Sequence, residues 1–158
     1  MVSQISAVIN TFNEEKNIER AIKSVGWADE IIVCDMHSDD KTVEIAKKMG
    51  ARIVFYKREG YVEPARNFAI SKTANNWILI LDADEKIQQD LVEKIKQISQ
   101  KEKSYDFVKI PRKNIIFNHW MKASGWWPDY QVRFFKKGAV IWQDKIHSQP
   151  QTKGQGLT

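Results

Sequence analysis

Asp82-Ala83-Asp84 sets two carboxylates one residue apart at the end of the apolar run Trp77-Ile78-Leu79-Ile80-Leu81. A run this short and rich in β-formers predicts a buried strand, with the polar residues emerging at its C-terminal edge. Ligands of open α/β sheets bind at that edge. Two carboxylates about 4 Å apart repel by roughly 4 kcal/mol at an effective dielectric near 20, and a divalent cation converts that repulsion into binding. All-oxygen ligation suits Mg²⁺ or Mn²⁺, which commonly hold substrate phosphates as well. The local chemistry is that of a metal–diphosphate site; the same spacing also fits a solvated, Asp-rich turn.

The elements that must position these residues follow in regular order. Ile5 to Ile9 predicts a strand ending in Asn10-Thr11-Phe12-Asn13. Ile18, Ala21, Ile22 and Val25 mark one face of a helix that Gly26 closes. Ile31 to Cys34 is a second strand, followed by the polar turn Asp35 to Asp40. A short helix carrying Val43, Ala46 and Met49 stops at Gly50. Ile53 to Tyr56 is a third strand, and Pro64 opens a helix whose inner face carries Ala65, Phe68 and Ala69. The Trp77 strand is the fourth, with Leu91, Ile95 and Ile98 marking the helix after it. This alternation predicts an α/β fold with a mostly parallel, Rossmann-like central sheet flanked by helices.

The second half reads differently. Strands are predicted at Tyr105 to Ile110, Val132 to Phe135 and Val140 to Trp142, with Gly138 in a turn, so this part should be small and antiparallel. Asn114 to Tyr130 reads as irregular and carries Trp120, Trp126 and Trp127. Residues 1–150 form one predicted domain, and residues 151–158, without periodicity, are expected to be a mobile tail.

With 158 residues and 42% hydrophobic content, the chain suits one soluble globular domain. No apolar stretch approaches the roughly 20 residues of a membrane span, and Met1 to Ile5 shows no secretory pattern. The single cysteine, Cys34, lies in a strand-like run and reads as a buried small hydrophobe in a reducing cytoplasm. Twenty-five basic against twenty acidic residues give +5, but the excess is spread in small clusters and by itself selects no partner. Nucleic acid fits poorly, because the aromatics are not interleaved with a basic stripe.

Three polar loops, Asn10 to Glu14, Asp35 to Asp40 and Asp82 to Glu85, should share one sheet edge. A nucleotide there needs a base acceptor, a cation for its phosphates and a metal. Asp35 can accept from a pyrimidine ring N–H, Arg66 can meet a phosphate and Asp84 can hold the ion. Helix capping by Ser38 and Asp40, or a surface pair of Arg66 with Glu63 or Glu59, is the structural alternative.

Four motifs in order, Ile5-Ser6-Ala7-Val8-Ile9-Asn10-Thr11-Phe12-Asn13-Glu14-Glu15, the Asp35 turn with Ser38, Asp40 and Thr42, Ala65-Arg66-Asn67, and Leu81-Asp82-Ala83-Asp84-Glu85, resemble a family 2 glycosyltransferase of the GT-A fold. Pro128 to Gly138, followed by Ile146-His147, is similar to the bacterial lipopolysaccharide-core and lipooligosaccharide β-1,4-glucosyltransferase branch. The resemblance implies that Thr11, Asn13, Glu14, Asp35, Arg66 and Asp82 bind the nucleotide sugar, with Asp35 on the base and Arg66 on the phosphates. It implies Asp84 and His147 as ligands of Mn²⁺ or Mg²⁺, and Asp129 as the base that deprotonates the acceptor. Inverting transfer from a UDP-sugar to a glycan or glycolipid acceptor is the expected reaction, in the cytoplasm or peripherally at the inner membrane face. Trp120, Trp126 and Trp127 either stack on acceptor sugars or pack internally. Relatives usually continue past the point where this chain stops, so a truncated or minimal form is expected, with part of acceptor recognition outside it.

Two other readings compete. A sugar nucleotidyltransferase would carry a Gly-rich basic loop after the first strand, whereas Asn10 to Glu15 has no glycine and is acidic. A nucleotide-sugar-binding domain without turnover would bind UDP and metal but transfer nothing.

Overall fold

Alternation along the two central strands decides which helices cover which face of the sheet. The computed structural model describes residues 4–101, 105–143 and 149–158. The first half runs β1 (Ile5–Thr11), α1 (Ile18–Ser24), β2 (Glu30–Asp35), α2 (Thr42–Lys48), β3 (Arg52–Phe55), α3 (Glu63–Ser71), β4 (Trp77–Asp82) and α4 (Gln89–Gln100). The second half adds β5 (Phe107–Arg112), β6 (Ile115–Ile116), β7 (His119–Trp120), β8 (Asp129–Lys136), β9 (Val140–Ile141), β10 (Gln151–Thr152) and β11 (Gly156–Leu157).

Seven strands form one sheet in the order β11-β5-β8-β4-β1-β2-β3. β1 pairs in parallel with both β2 and β4, and β2 with β3. β8 runs antiparallel to both β4 and β5, while β11 is parallel to β5. The fold is therefore α/β with a mostly parallel central sheet, and the small antiparallel part lies in the second half. β1 is buried along its whole length. Its Ala7 and Ile9, with Leu79 and Leu81 of β4, pack against Ile18, Ala21 and Ile22 of α1, Ala46 of α2 and Ile95 of α4. Val8, Ile78 and Ile80 point the other way, onto Ala65, Ala69 and Ile70 of α3. Period-two strands sandwiched between helices must be apolar on both sides, which is why their runs are continuous.

Two regions differ from their sequence reading. Within the stretch expected to be irregular, β6 and β7 form an antiparallel hairpin, pairing Ile115 with Trp120 and Ile116 with His119. Its turn residues Phe117 and Asn118 have φ of 49° and 61°, a left-handed pair that normally draws glycine or asparagine. Phenylalanine gives no such signal, so the turn was illegible. The tail expected to be mobile supplies β10 and β11 instead. It is held by backbone hydrogen bonds from the Lys153 N–H to the Ala139 carbonyl and from the Asp106 N–H to the Gln155 carbonyl, while the Gln155 N–H donates to the Asp106 carboxylate. β9 pairs with β10 rather than with β8.

Candidate active site

The chain passes from β1 to β2 and β3 on one side, then returns to β4 on the other, so the crevice between β1 and β4 is the topological switch point. Register places Asn10 beside Asp82 and Thr11 beside Asp35 at the carboxyl ends of these strands. Asn10 and Thr11 are buried, and both polar atoms of the Asn10 amide and the Thr11 hydroxyl lack partners among the described residues. Buried polar atoms without partners are rare and carry a desolvation penalty of about 1–3 kcal/mol each. A ligand seated at this edge would relieve it.

The loops after β1 and β2 are tied together. Asp35 is fully buried and accepts from the Ser38 backbone N–H at 2.8 Å and the Ser38 hydroxyl at 2.5 Å. Ser38 in turn accepts from the Asn13 N–H at 2.8 Å, and Asn13 accepts from the Asp39 N–H at 2.8 Å. Asn13 itself takes a left-handed φ of 53°. The Glu14 N–H donates to the Thr42 hydroxyl, and the Glu14 carboxylate accepts from Asn17. Asp40 accepts from the Thr42 N–H and hydroxyl at the start of α2, from one residue before the N-cap Lys41, which makes no side-chain cap bond of its own. Cys34 lies beneath this loop; burial, reinforced by the Asp35 charge, pushes its thiol up to about 12, which removes it as a nucleophile at neutral pH.

Across the crevice, Asp82 closes β4 between two guanidinium groups. Arg66 of α3 reaches its two oxygens at 2.7 and 2.9 Å, and Arg133 of β8 lies at 3.0 Å. Arg133 also donates to Glu85 at 2.6 Å. Burial raises the Asp82 carboxyl, but the charges of Arg133 and Arg66 outweigh it and hold it below the usual carboxylate range. Burial likewise lowers Arg66, only partly offset by Asp82; burial lowers Arg133 too, but there Asp82 and Glu85 together outweigh it and leave the group raised. Arg66 is thus the less well compensated cation, with a buried Nε that has no partner among the described residues, and it lines an open cleft of about 510 Å³ shared with Arg112, Gln131, Arg133 and Trp142. Trp142 is fixed there by the Asn67 amide, which donates to its carbonyl and accepts from its backbone N–H, and the Arg66 guanidinium sits 5.5 Å from its ring.

Asp129 begins β8, opposite Arg112 of β5. Its carboxylate accepts from Arg112 Nε at 2.9 Å, Asn114 at 3.1 Å and Gln131 at 2.7 Å. Burial raises its pKa, but these three donors outweigh it and leave the carboxyl below its ordinary value. Asp84 lies apart from this network. It is exposed, its backbone carbonyl accepts from Arg20 at 3.0 Å, and its carboxylate makes no bond among the described residues.

The structure therefore gathers Arg66 and Asp82 on the cleft, with Asp129 bonded to two residues of its lining, and Thr11, Asn13, Glu14 and Asp35 on the adjoining loops. Among the described residues no three of His, Cys, Asp and Glu cluster so as to hold a metal unaided. One free, exposed carboxylate at Asp84 fits an ion held chiefly by a diphosphate. His147, the second ligand expected from sequence, lies outside the described residues. Glu85, Arg112, Asn114 and Gln131 were not singled out from sequence. The legible signal for this polar layer was a charge, Arg133, inside the apolar run Val132 to Phe135.

Residues 6–153 match the model of Glycosyl transferase family 2. An uncharacterized glycosyltransferase of Rickettsia bellii is 46% identical over 99 residues, covering 62% of this chain and 33% of that protein. The glycosyltransferase SunS of Bacillus subtilis is 28% identical over 158 residues, covering 97% of this chain and 36% of its own length. The chain thus spans about a third of the length of these relatives. Among solved structures, glucosyl-3-phosphoglycerate synthase from Mycobacterium tuberculosis, in complex with Mn²⁺, UDP and glucosyl-3-phosphoglycerate, superposes with a TM-score of 0.59 at 25% identity, over 68% of this chain and 43% of that one. S. aureus TarS has the same fold, with a TM-score of 0.61 at 23% identity over 70% of this chain and 22% of TarS. Sheet order, the acidic strand end at the switch point and the match over nearly the whole chain agree: this protein belongs to glycosyl transferase family 2.

Proposed function

We propose that this domain is a metal-dependent hexosyltransferase that moves a sugar, with inversion, from a UDP-sugar to a glycolipid acceptor of the bacterial surface such as lipopolysaccharide core. The observation that carries the reading is the row of unpartnered buried polar atoms on Asn10 and Thr11 beside the Asp82–Arg66 pair. The M. tuberculosis enzyme crystallised with UDP and Mn²⁺ supports the choice of donor and cation.

In this reading Thr11, Asn13, Glu14 and Asp35 line the nucleoside pocket. Arg66, already short of compensation, turns toward the diphosphate, while Arg133 keeps Asp82 ionised and in place against the sugar. A divalent cation, when bound, supplies charge neutralisation for the departing diphosphate, with Asp84 and His147 as the residues that would hold it. The acceptor oxygen bonds to the anomeric carbon as the bond to the diphosphate breaks and its electron pair leaves with the phosphate oxygen. The hydroxyl proton passes to Asp129. Its Oδ1 receives one bond among the described residues, from Gln131, and a carboxylate oxygen accepts about two, which leaves one lone pair for the acceptor hydroxyl's proton. A carboxylate held below its ordinary pKa takes the proton late, once the forming bond has acidified the hydroxyl. A glycolipid acceptor also implies work at a membrane face; no helix among the described residues is long and apolar enough to cross one.

The test is titration of UDP and UDP-sugars by calorimetry, with and without Mn²⁺, on the native chain and Asp84→Ala. UDP should bind more tightly with Mn²⁺ in the native chain, and the increment should vanish in the variant. Equal UDP affinity with and without metal refutes the metal-dependent reading. Binding of donor without transfer to any supplied acceptor favours the domain without turnover.

A further inference from the structure

The segment between β5 and β8 exposes apolar surface that packing does not use. Phe117 at the hairpin tip is 93% exposed, Ile115 57% and Trp126 42%, with Ile116 and Trp127 also exposed. Scattered exposed hydrophobes are ordinary, but five within thirteen residues form a patch of the kind that marks an interaction surface. The patch is one unit. Trp120 of β7 packs edge-on against Trp127 at 5.1 Å, and Asn114 donates to the Trp126 carbonyl at 3.2 Å.

Its charge selects the partner. Residues 107–128 contain Lys109, Arg112, Lys113 and Lys122 and no Asp or Glu, which is +4 (four basic, none acidic) in a chain of net +5. The ammonium nitrogens of Lys113 and Lys122 each sit 4.3 Å from the Trp120 ring centre, cation–π contacts that set two positive charges directly beside the tryptophans. An apolar tip, a belt of tryptophans and a rim of lysines without acids match, layer by layer, the acyl boundary, the headgroup level and the anionic surface of a bilayer.

We propose that the β6–β7 hairpin and the Trp126-Trp127 loop dock this domain on an anionic lipid bilayer, with Phe117 entering the acyl boundary. The patch begins three residues beyond Arg112, which lines the cleft and holds Asp129. Docking therefore sets the cleft at headgroup height. Only this last step, delivery of a lipid-borne acceptor, rests on the glycolipid reading above; vesicle binding does not.

Flotation of the 158-residue chain with phosphatidylcholine vesicles, with and without phosphatidylglycerol, tests it in the absence of donor and acceptor. The chain should partition onto vesicles containing phosphatidylglycerol and much less onto phosphatidylcholine alone. Phe117→Ser should lower the partition coefficient about tenfold, and Lys113→Gln with Lys122→Gln should lower it about tenfold on the anionic vesicles only. Both variants should keep the native circular dichroism. Brominated acyl chains should quench tryptophan emission, and Trp126→Phe with Trp127→Phe should remove most of that quenching. Absence of partitioning overturns the proposal, as does a Phe117→Ser variant that binds like the native chain. Reversible self-association that Phe117→Ser abolishes would assign the patch to a second copy and also overturn it. UDP affinity, measured separately, reports on the donor site alone, so either result can fail without the other.

Discussion

Arg133 and Asp82, 51 residues apart in sequence, meet at 3.0 Å because β8 runs antiparallel beside β4. The antiparallel sense brings the start of β8 to the same sheet edge as the end of β4. A charge from the second half of the chain thereby fixes the acidic motif of the first.

That pairing should be costly to break. Arg133 is 7% exposed and joins Asp82 and Glu85. Arg133→Gln leaves Asp82 with Arg66 alone and Glu85 with only the longer contact to Arg112, and should lower unfolding free energy by about 2 kcal/mol. Urea denaturation measures it, and a change below about 0.5 kcal/mol would refute a structural role for the pair.

Acid stability follows from the same network. Folding lowers the Asp82 carboxyl, so its contribution is complete above the ordinary carboxylate pKa and disappears as pH falls through the lower folded value. The thermal unfolding temperature should therefore fall once the pH drops below about 4. Asp82→Asn, less stable at neutral pH, should show a shallower acid loss; a slope equal to that of the native chain would contradict the linkage.

The candidate base makes a kinetic prediction. Three donors, Arg112 among them, hold Asp129 below its ordinary value. Arg112→Gln should raise that pKa and move the acid limb of kcat/KM to higher pH. Asp129→Asn should retain UDP binding while transfer falls by about two orders of magnitude or more. Full activity in Asp129→Asn would remove it as the base.

Donor contacts separate by comparing uridine with UDP. Arg66→Ala should weaken UDP far more than uridine if, as proposed, the guanidinium faces the diphosphate. Asp35→Ala should weaken both by a similar factor, since it releases the Ser38 turn beside the proposed nucleoside pocket. Calorimetry of each ligand gives the ratios, and equal losses of both ligands in Arg66→Ala would argue against a phosphate contact.

Much of this was fixed locally. Continuous apolar runs, helical periodicity and Gly50, with a φ of 80°, specify the parallel half of the fold without reference to distant residues. Asp35, Asp82 and Asp84 were legible because strand ends in such a sheet must meet at one edge. Only the tertiary structure decided that Asp82 lies between Arg66 and Arg133, that Asp129 is held by Arg112, and that Phe117 stands free at a hairpin tip. Those relationships depend on strand order and on a turn whose left-handed residues are not glycine, neither of which any local pattern encodes. Tail residues 151–158 show the same limit: a strand two residues long has no periodicity to read, and its place beside β5 exists only once that edge has formed.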